Sequence, residues 1–180
     1  PTRRSSDLFM DSITVKRVEP GDSNFLYQLM NTPQIMSALN ELPTSRDNWT
    51  DAVACWETDD DELDFIVWSG DRQIGWLAFN GLSAPDQTVY LKMAAILPEY
   101  QHRGIGTHAL SRLLDVMKEK NFARAILFTN QENESALRCY QKCGFKVTEK
   151  LTQTMTDGTV TRRYKMECII NDGDEKIRLI

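Results

Sequence analysis

Between Thr88 and Phe128 the sequence changes its hydrophobic period twice, and this segment limits the fold more than any other. Thr88 to Leu97 reads as a strand that Pro98 ends, because proline has no N–H to give a ladder. Past a turn containing Gly104 and Gly106, the apolar residues Ile105, Ala109, Leu110, Leu113, Leu114 and Met117 recur as one face of a helix. Ala125-Ile126-Leu127-Phe128 follows, a short apolar run of the kind shown by a central strand buried on both faces. A helix with a single apolar stripe between two strands must pack on their sheet.

The flanking sequence extends this unit in both directions. Ile13 to Val18 alternates apolar and polar residues as a half-buried strand does. Helical stretches are expected around Phe25 to Met36 and Trp49 to Trp56, with Ser45 and Asp47 as caps for the second. Asp64 to Trp68 and Gln73 to Phe79 read as antiparallel strands about a Gly70-Asp71 turn. The acidic run Asp59-Asp60-Asp61-Glu62 before them reads as a solvated loop. A short helix from Asn133 to Gln141 stops at Gly144, which suits a left-handed position. Strands from Phe145 to Met155 and Val160 to Ile169 close the chain through Asp157-Gly158, a hairpin signal. The expectation is an α/β fold, one domain over residues 10–170, with helices on both faces of a mixed sheet. Pro1 to Leu8 resembles the translation of a sequencing-adapter oligonucleotide, so residues 1–9 are expected to be a non-native leader ahead of Met10. A short basic arm is the alternative. Residues 171–180 are expected to be a charged, frayed tail.

Charge and composition exclude several classes. The 180 residues carry a formal net charge of -5, and a pI near 5.1 gives no electrostatic reason to expect a nucleic-acid partner. No apolar run approaches the roughly 20 residues of a membrane span, and no signal-peptide core is visible, so no membrane partner is expected and a cytoplasmic setting is the default. The four cysteines, Cys55, Cys139, Cys143 and Cys168, form no CxxC pair, and His102 and His108 have no matching ligand set. They read as structural thiols, with no metal expected.

The turn Gln101-His102-Arg103-Gly104-Ile105-Gly106 carries the chemistry. The first N–H groups of a helix have no partner inside it and lie at the positive end of its dipole, so they hold anions. Glycines at 104 and 106 let a phosphate approach, and Thr107 adds a hydroxyl. Taken alone, the pair serves a tight connection equally well. A dinucleotide fingerprint would need a glycine where Ala109 stands, and a P-loop would need a Gly-Lys pair that the chain lacks.

The same turn matches Q/R-x-x-G-x-G/A of the GNAT superfamily of N-acetyltransferases, behind the apolar stretch Ala94-Ala95-Ile96-Leu97-Pro98-Glu99-Tyr100. Asn133-Glu134-Ser135-Ala136-Leu137-Arg138-Cys139-Tyr140-Gln141-Lys142-Cys143-Gly144-Phe145 looks like that family's N-x-x-A-x-x-x-Y-x-x-x-G-F. The two motifs stand in the family's order and separation, and the chain resembles the family from Ile13 to Ile169. The resemblance implies a GNAT-like mixed sheet of about six to seven strands, splayed between its central parallel strands and flanked by about four helices. It implies acetyl-CoA as co-substrate, entering the splay. The amides around Arg103, Gly104, Gly106 and Thr107 would hold its pyrophosphate, and Gln101, His102 and Ile105 of the same turn would also belong to the co-substrate site. The backbone of Ala95, Ile96 and Leu97 would pair with its pantetheine arm, and Asn133 would bind the arm from the other side.

By the same resemblance Tyr140 is the general acid toward the CoA sulfur, and Glu99 is the carboxylate placed to be a base. The strand before the turn holds Lys92 and no acid, which favours a water chain as base. The acceptor is expected to be a primary amine of a small molecule or of a peptide or protein, bound by the early helices and the last hairpin, which offer Trp49, Trp56, Arg162, Arg163 and Tyr164. A domain that binds acetyl-CoA without transferring it, as a sensor or assembly module, is the alternative. The exposed edge of the last hairpin makes a homodimer an expectation as well.

Overall fold

The structure is a computed structural model that describes residues 9–171. The expected leader, residues 1–9, and the expected tail, residues 171–180, fall outside the described residues except for Phe9 and Asn171. In chain order the elements are β1 (Ile13–Arg17), α1 (Ser23–Met30), α2 (Pro33–Leu39), α3 (Arg46–Trp56), β2 (Glu62–Ser69), β3 (Arg72–Asn80), β4 (Thr88–Ile96), α4 (Ile105–Glu119), β5 (Arg124–Asn130), α5 (Glu134–Lys142), β6 (Lys146–Thr154) and β7 (Val160–Ile169). None of the helices among the described residues is long and apolar enough to cross a membrane.

The stretch expected to be one helix around Phe25 to Met36 is two. Thr32 is extended, at φ -68 and ψ 124, and Pro33 opens α2. A residue before proline is pushed out of the helical region, and proline is at home in a helix's first turn, where no N–H is needed. The Asn31 side-chain amide bridges the break, donating to the Tyr27 carbonyl at 2.8 Å and the Thr44 carbonyl at 3.1 Å. At α3 the Ser45 hydroxyl caps as expected, accepting from the Asn48 N–H at 3.2 Å, while Asp47 lies in the first turn, where its charge suits the dipole.

The seven strands form one sheet in the order β1-β2-β3-β4-β5-β7-β6. Every neighbouring pair is antiparallel except β4 and β5. Period-two alternation sends Phe65 and Val67 of β2 to the α4 side and Ile66 to the α1–α3 side. Two cores result. One lies under α4 and includes Leu110, Leu113, Met117 and Phe145; the other lies under α1 to α3 and includes Leu26, Leu29, Val53 and Trp76.

Two bulges adjust this alternation. Between β2 and β3 the register passes from Trp68↔Gln73 to Val67↔Gly75, which makes Ile74 an extra residue. Between β3 and β4 it passes from Phe79↔Leu91 to Ala78↔Met93, which makes Lys92 extra. A one-residue insertion flips every side chain beyond it. Val89 and Leu91 before the bulge, and Ala94 and Ile96 after it, therefore all join the α4 core, while Ala95 turns to the α1–α3 core.

β4 and β5 share three rungs, Thr88↔Arg124, Val89↔Ala125 and Tyr90↔Ile126. Their joined end is pinned by Arg124, which donates to the Thr88 hydroxyl at 2.7 Å and to Asp86 at 2.8 Å. Beyond Tyr90 the bulge bends β4 away, and the strands run on to Ile96 and Asn130 without pairing. The expectation that the Ala125 to Phe128 run is buried on both faces holds for Ala125, Ile126 and Leu127, but Phe128 is 39% exposed. It lies past the last shared rung, where β4 no longer covers β5.

Candidate active site

The fork between β4 and β5 opens onto a cleft of about 410 Å³, walled by the end of β4, the turn into α4, and α5. Gly104 caps α4 at φ 79, a conformation that costs most side chains strain, and no side chain caps this helix. The first helical bond runs from the His108 N–H to the Gly104 carbonyl, at 3.0 Å. The N–H groups of Ile105, Gly106 and Thr107, all on the cleft wall, are left for an anion.

The other wall is backbone. The Leu97 N–H donates to the Ile74 carbonyl on β3 at 2.8 Å. Peptide groups alternate along a strand, so those of Ile96 and Ala94 face the open fork. The Ile96 carbonyl there accepts from the Gln101 side chain at 2.8 Å, which ties the turn to the strand. The open edge offers the N–H groups of Ala94 and Ile96 to an extended ligand, as a sheet edge offers them to an added strand.

Of the residues expected to bind the co-substrate, Ala95, Ile96, Gln101, His102, Gly104, Ile105, Gly106 and Thr107 line this cleft, with Asn133 and Tyr140 opposite. Leu97 and Arg103 do not. Leu97 spends its N–H on β3 and packs its side chain in the α1–α3 core. Arg103 stands over the Tyr100 ring, 5.7 Å from its centre. Asn133 caps α5, its side-chain oxygen accepting from the Ala136 N–H at 3.2 Å. Glu99 is 53% exposed at its side chain, pairs with Arg72 at 3.0 Å, and is not on the cleft wall. Sequence reading missed Arg138 and Lys142, which line the cleft from α5. Their spacing from each other carried that signal, since cations four residues apart on a helix share a face.

A second cleft, of about 170 Å³, lies across the fork and is walled by Lys92, Met93, Phe128, Thr129, Met155, Arg163 and Glu41. The two clefts share Ala38, Leu39, Ala94, Asn133, Ala136 and Tyr140. Tyr140 thus stands where they meet, its ring held edge-on to Phe145 at 6.1 Å. Burial, with the nearby Cys139, pushes its phenol well above the usual range. Arg163 is fixed by donating to the Phe128 carbonyl at 2.7 Å and to Gln153 at 2.8 Å. The rim is tied at Asn40, which is left-handed at φ 56. Asn40 accepts from the Asn130 side chain at 2.8 Å, donates to the Thr159 hydroxyl at 3.2 Å, and takes the Asp157 N–H on its carbonyl.

The other acceptor candidates lie elsewhere. Trp49 and Trp56 pack on Trp76 at ring separations of 5.5 and 5.6 Å and lie 6.4 Å from each other. Arg162 pairs with Glu132 at 3.5 Å, and the Lys150 ammonium lies over Tyr164.

A parallel pair forked open beside an uncapped helix start, with a protonated phenol between two clefts, is the framework of an acyltransferase. The chain belongs to the acetyltransferase (GNAT) family, whose model matches residues 24–145. It is similar to N-alpha-acetyltransferase 30 of Schizosaccharomyces pombe, with 32% identity over 105 residues, 57% of this chain and 70% of that protein. It is also similar to Probable N-acetyltransferase 14 of Xenopus tropicalis, with 37% identity over 62 residues, 34% of this chain and 30% of that one. In fold it resembles the spermidine N-acetyltransferase of Vibrio cholerae, solved in complex with CoA and spermine, at a TM-score of 0.81 and 24% identity, over 88% of this chain and 96% of that one.

Proposed function

We propose that this protein moves an acetyl group from acetyl-CoA directly to a primary amine of a small molecule, peptide or protein, with both substrates bound at once. The observation that carries this reading is the position of Tyr140 on both clefts, with its hydroxyl in no hydrogen bond among the described residues. The larger cleft suits the donor. Its three free helix N–H groups and two cationic side chains complement a pyrophosphate, and its unpaired strand edge complements an amide-bearing arm. The smaller cleft suits the amine.

Acetyl-CoA supplies a thioester carbonyl. The exposed N–H of Ile96 or Ala94 is placed to stabilise the oxygen as negative charge develops on it. Tyr140 is the acid for the departing sulfur, because its raised pKa keeps the phenol protonated at and above neutral pH. The placement of Glu99 supports loss of the amine's proton to water in the open cleft, with Glu99 taking no part. The four cysteines are all unpaired, which supports a reducing, cytoplasmic setting.

The test begins with acetyl-CoA binding, read by thermal shift. Thiol release is then followed with a panel of amines, peptides, polyamines and aminoglycosides. Stabilisation, turnover with at least one primary amine and intersecting initial-velocity lines are expected. Parallel lines overturn direct transfer, stabilisation without turnover overturns the enzyme reading of the two clefts, and no stabilisation overturns the whole.

A further inference from the structure

Acyl transfer to an amine uses neither Cys139 of α5 nor Cys143 just past its end, yet the first stands in the donor cleft. Cys139 lines its wall, and a β-carbon built on Gly106 would lie 3.6 Å from the Cys139 sulfur. Cys143, one helical turn further, sends its thiol to the Thr107 carbonyl at 3.5 Å. The two sulfurs therefore bracket the first turn of α4, where the free N–H groups are. Cys168 completes the row by donating to the Cys143 carbonyl at 3.6 Å.

This row differentiates the thiols. The neighbouring Cys143, then Thr107 and the Lys142 ammonium, lower the Cys139 thiol to about 7 against the opposing effect of burial, and the uncapped first turn of α4 beside Gly106 favours the thiolate as well. The neighbouring Cys139, together with burial, pushes Cys143 upward, and the Cys143 proton is held by the Thr107 carbonyl. A thiolate is the reactive form of cysteine, and a cleft wide enough for a nucleotide thioester admits a small disulfide.

We propose that Cys139 is a thiol–disulfide exchange site within the donor cleft, that low-molecular-weight disulfides are its substrates, and that the mixed disulfide closes the cleft to acetyl-CoA. The Cys139 thiolate attacks one sulfur of the disulfide R–S–S–R. A new S–S bond joins Cys139 to one half, the old S–S bond breaks, and the other half leaves as a thiolate that takes a proton from water. A thiol reverses the reaction. The group R then occupies the space in front of Gly106. The closure rests on the donor-cleft reading; the exchange chemistry at Cys139 does not.

The whole protein is incubated at pH 7 with glutathione disulfide, and each cysteine is followed by peptide mass mapping. Cys139 is expected to react roughly fivefold or more faster than the exposed Cys55. Acetyl-CoA should protect Cys139 and leave Cys55 unprotected, and thermal stabilisation by acetyl-CoA should fall in step with Cys139 modification and return with dithiothreitol. Cys139 reacting no faster than Cys55 overturns the exchange site. Modification at Cys139 that leaves stabilisation by acetyl-CoA intact overturns the closure. If the unmodified protein shows no such stabilisation, the donor-cleft reading fails by itself, and the labelling order still decides the exchange site.

Discussion

Tyr90 faces Ile126 across the last rung that β4 and β5 share, and two residues beyond it Lys92 is the extra residue of the bulge against β3. The bulge and the opening belong together. An inserted residue bends its strand, and β4 parts from β5 here, where Lys92 and Met93 line the smaller cleft and Ala94 lines both. Lys92 is held there by an ion pair with Glu62 and by the Trp56 ring, 5.3 Å away.

Tyr140→Phe removes only the hydroxyl at the junction of the clefts. Turnover should fall by roughly 10²-fold or more, the scale of a lost general acid, with little change in acetyl-CoA affinity. Steady-state kinetics paired with calorimetric titration reads both, and unchanged turnover removes Tyr140 from the mechanism.

Glu99→Gln should leave turnover and its pH profile unchanged, since the carboxylate pairs with Arg72 outside the cleft. An exposed pair of this kind contributes about 0–1 kcal/mol, so stability should barely move. A large fall in kcat on this substitution would restore Glu99 as the base.

At Gly106 a β-carbon would lie 3.6 Å from Cys139 and 4.0 Å from Ile96, so the fold has room for it. Gly106→Val places the rest of a side chain in the donor cleft. Acetyl-CoA affinity should drop by roughly tenfold or more while Tm stays near wild type, because valine is no worse than glycine in a helix. Thermal melts with and without acetyl-CoA separate the two effects.

Gly75 offers no such room. A β-carbon there would lie 2.5 Å from Ile96 Cδ1 and 2.7 Å from the Ala95 carbonyl. Gly75→Ala should cost roughly 1–3 kcal/mol in a urea titration, and should weaken acetyl-CoA binding in the folded fraction because β4 shifts. A variant as stable as wild type would show that the strands separate without cost.

Asp64 is 2% exposed and accepts from the Trp76 indole at 2.8 Å, leaving its other oxygen without a partner. Burial, then the nearby Glu62, raises its pKa from 3.8 to about 7. Between those values the folded protein holds a proton that the unfolded chain has released, so this group lowers stability as pH rises from about 4 to about 7 and then levels off. Asp64→Asn keeps an acceptor for Trp76 and removes the titration. Urea midpoints at pH 5 and 7.5 should show the variant gaining on wild type at the higher pH by a few kcal/mol, on the order set by the shift; a constant difference would rule out titration of Asp64 in this range.

Features set by backbone chemistry were legible in the sequence. Gly104 and Gly106 announced a turn that exposes amides, Asn133 announced a helix start, and Gly144, at φ 94, announced its end. Features set by register were not. Nothing local marks Lys92 as an extra residue, because the insertion exists only against Phe79 and Ala78 on β3. The exposure of Phe128 follows from that insertion, since β5 is uncovered only where β4 has turned aside. The Asp64–Trp76 bond joins two strands whose facing is likewise fixed by pairing. The break at Pro33 was legible, and the apolar spacing from Phe25 to Met36 masked it.

The rim at Asn40 sets an order on biosynthesis. Its partners Asp157 and Thr159 lie 117 and 119 residues further along the chain. A nascent polypeptide that has cleared the ribosome only through Phe145 holds the glycine turn, Asn133 and Tyr140, but lacks the hairpin whose Met155 and Arg163 complete the smaller cleft. During translation the glycine turn and the α5 wall of the larger cleft therefore emerge before the hairpin that walls the smaller one.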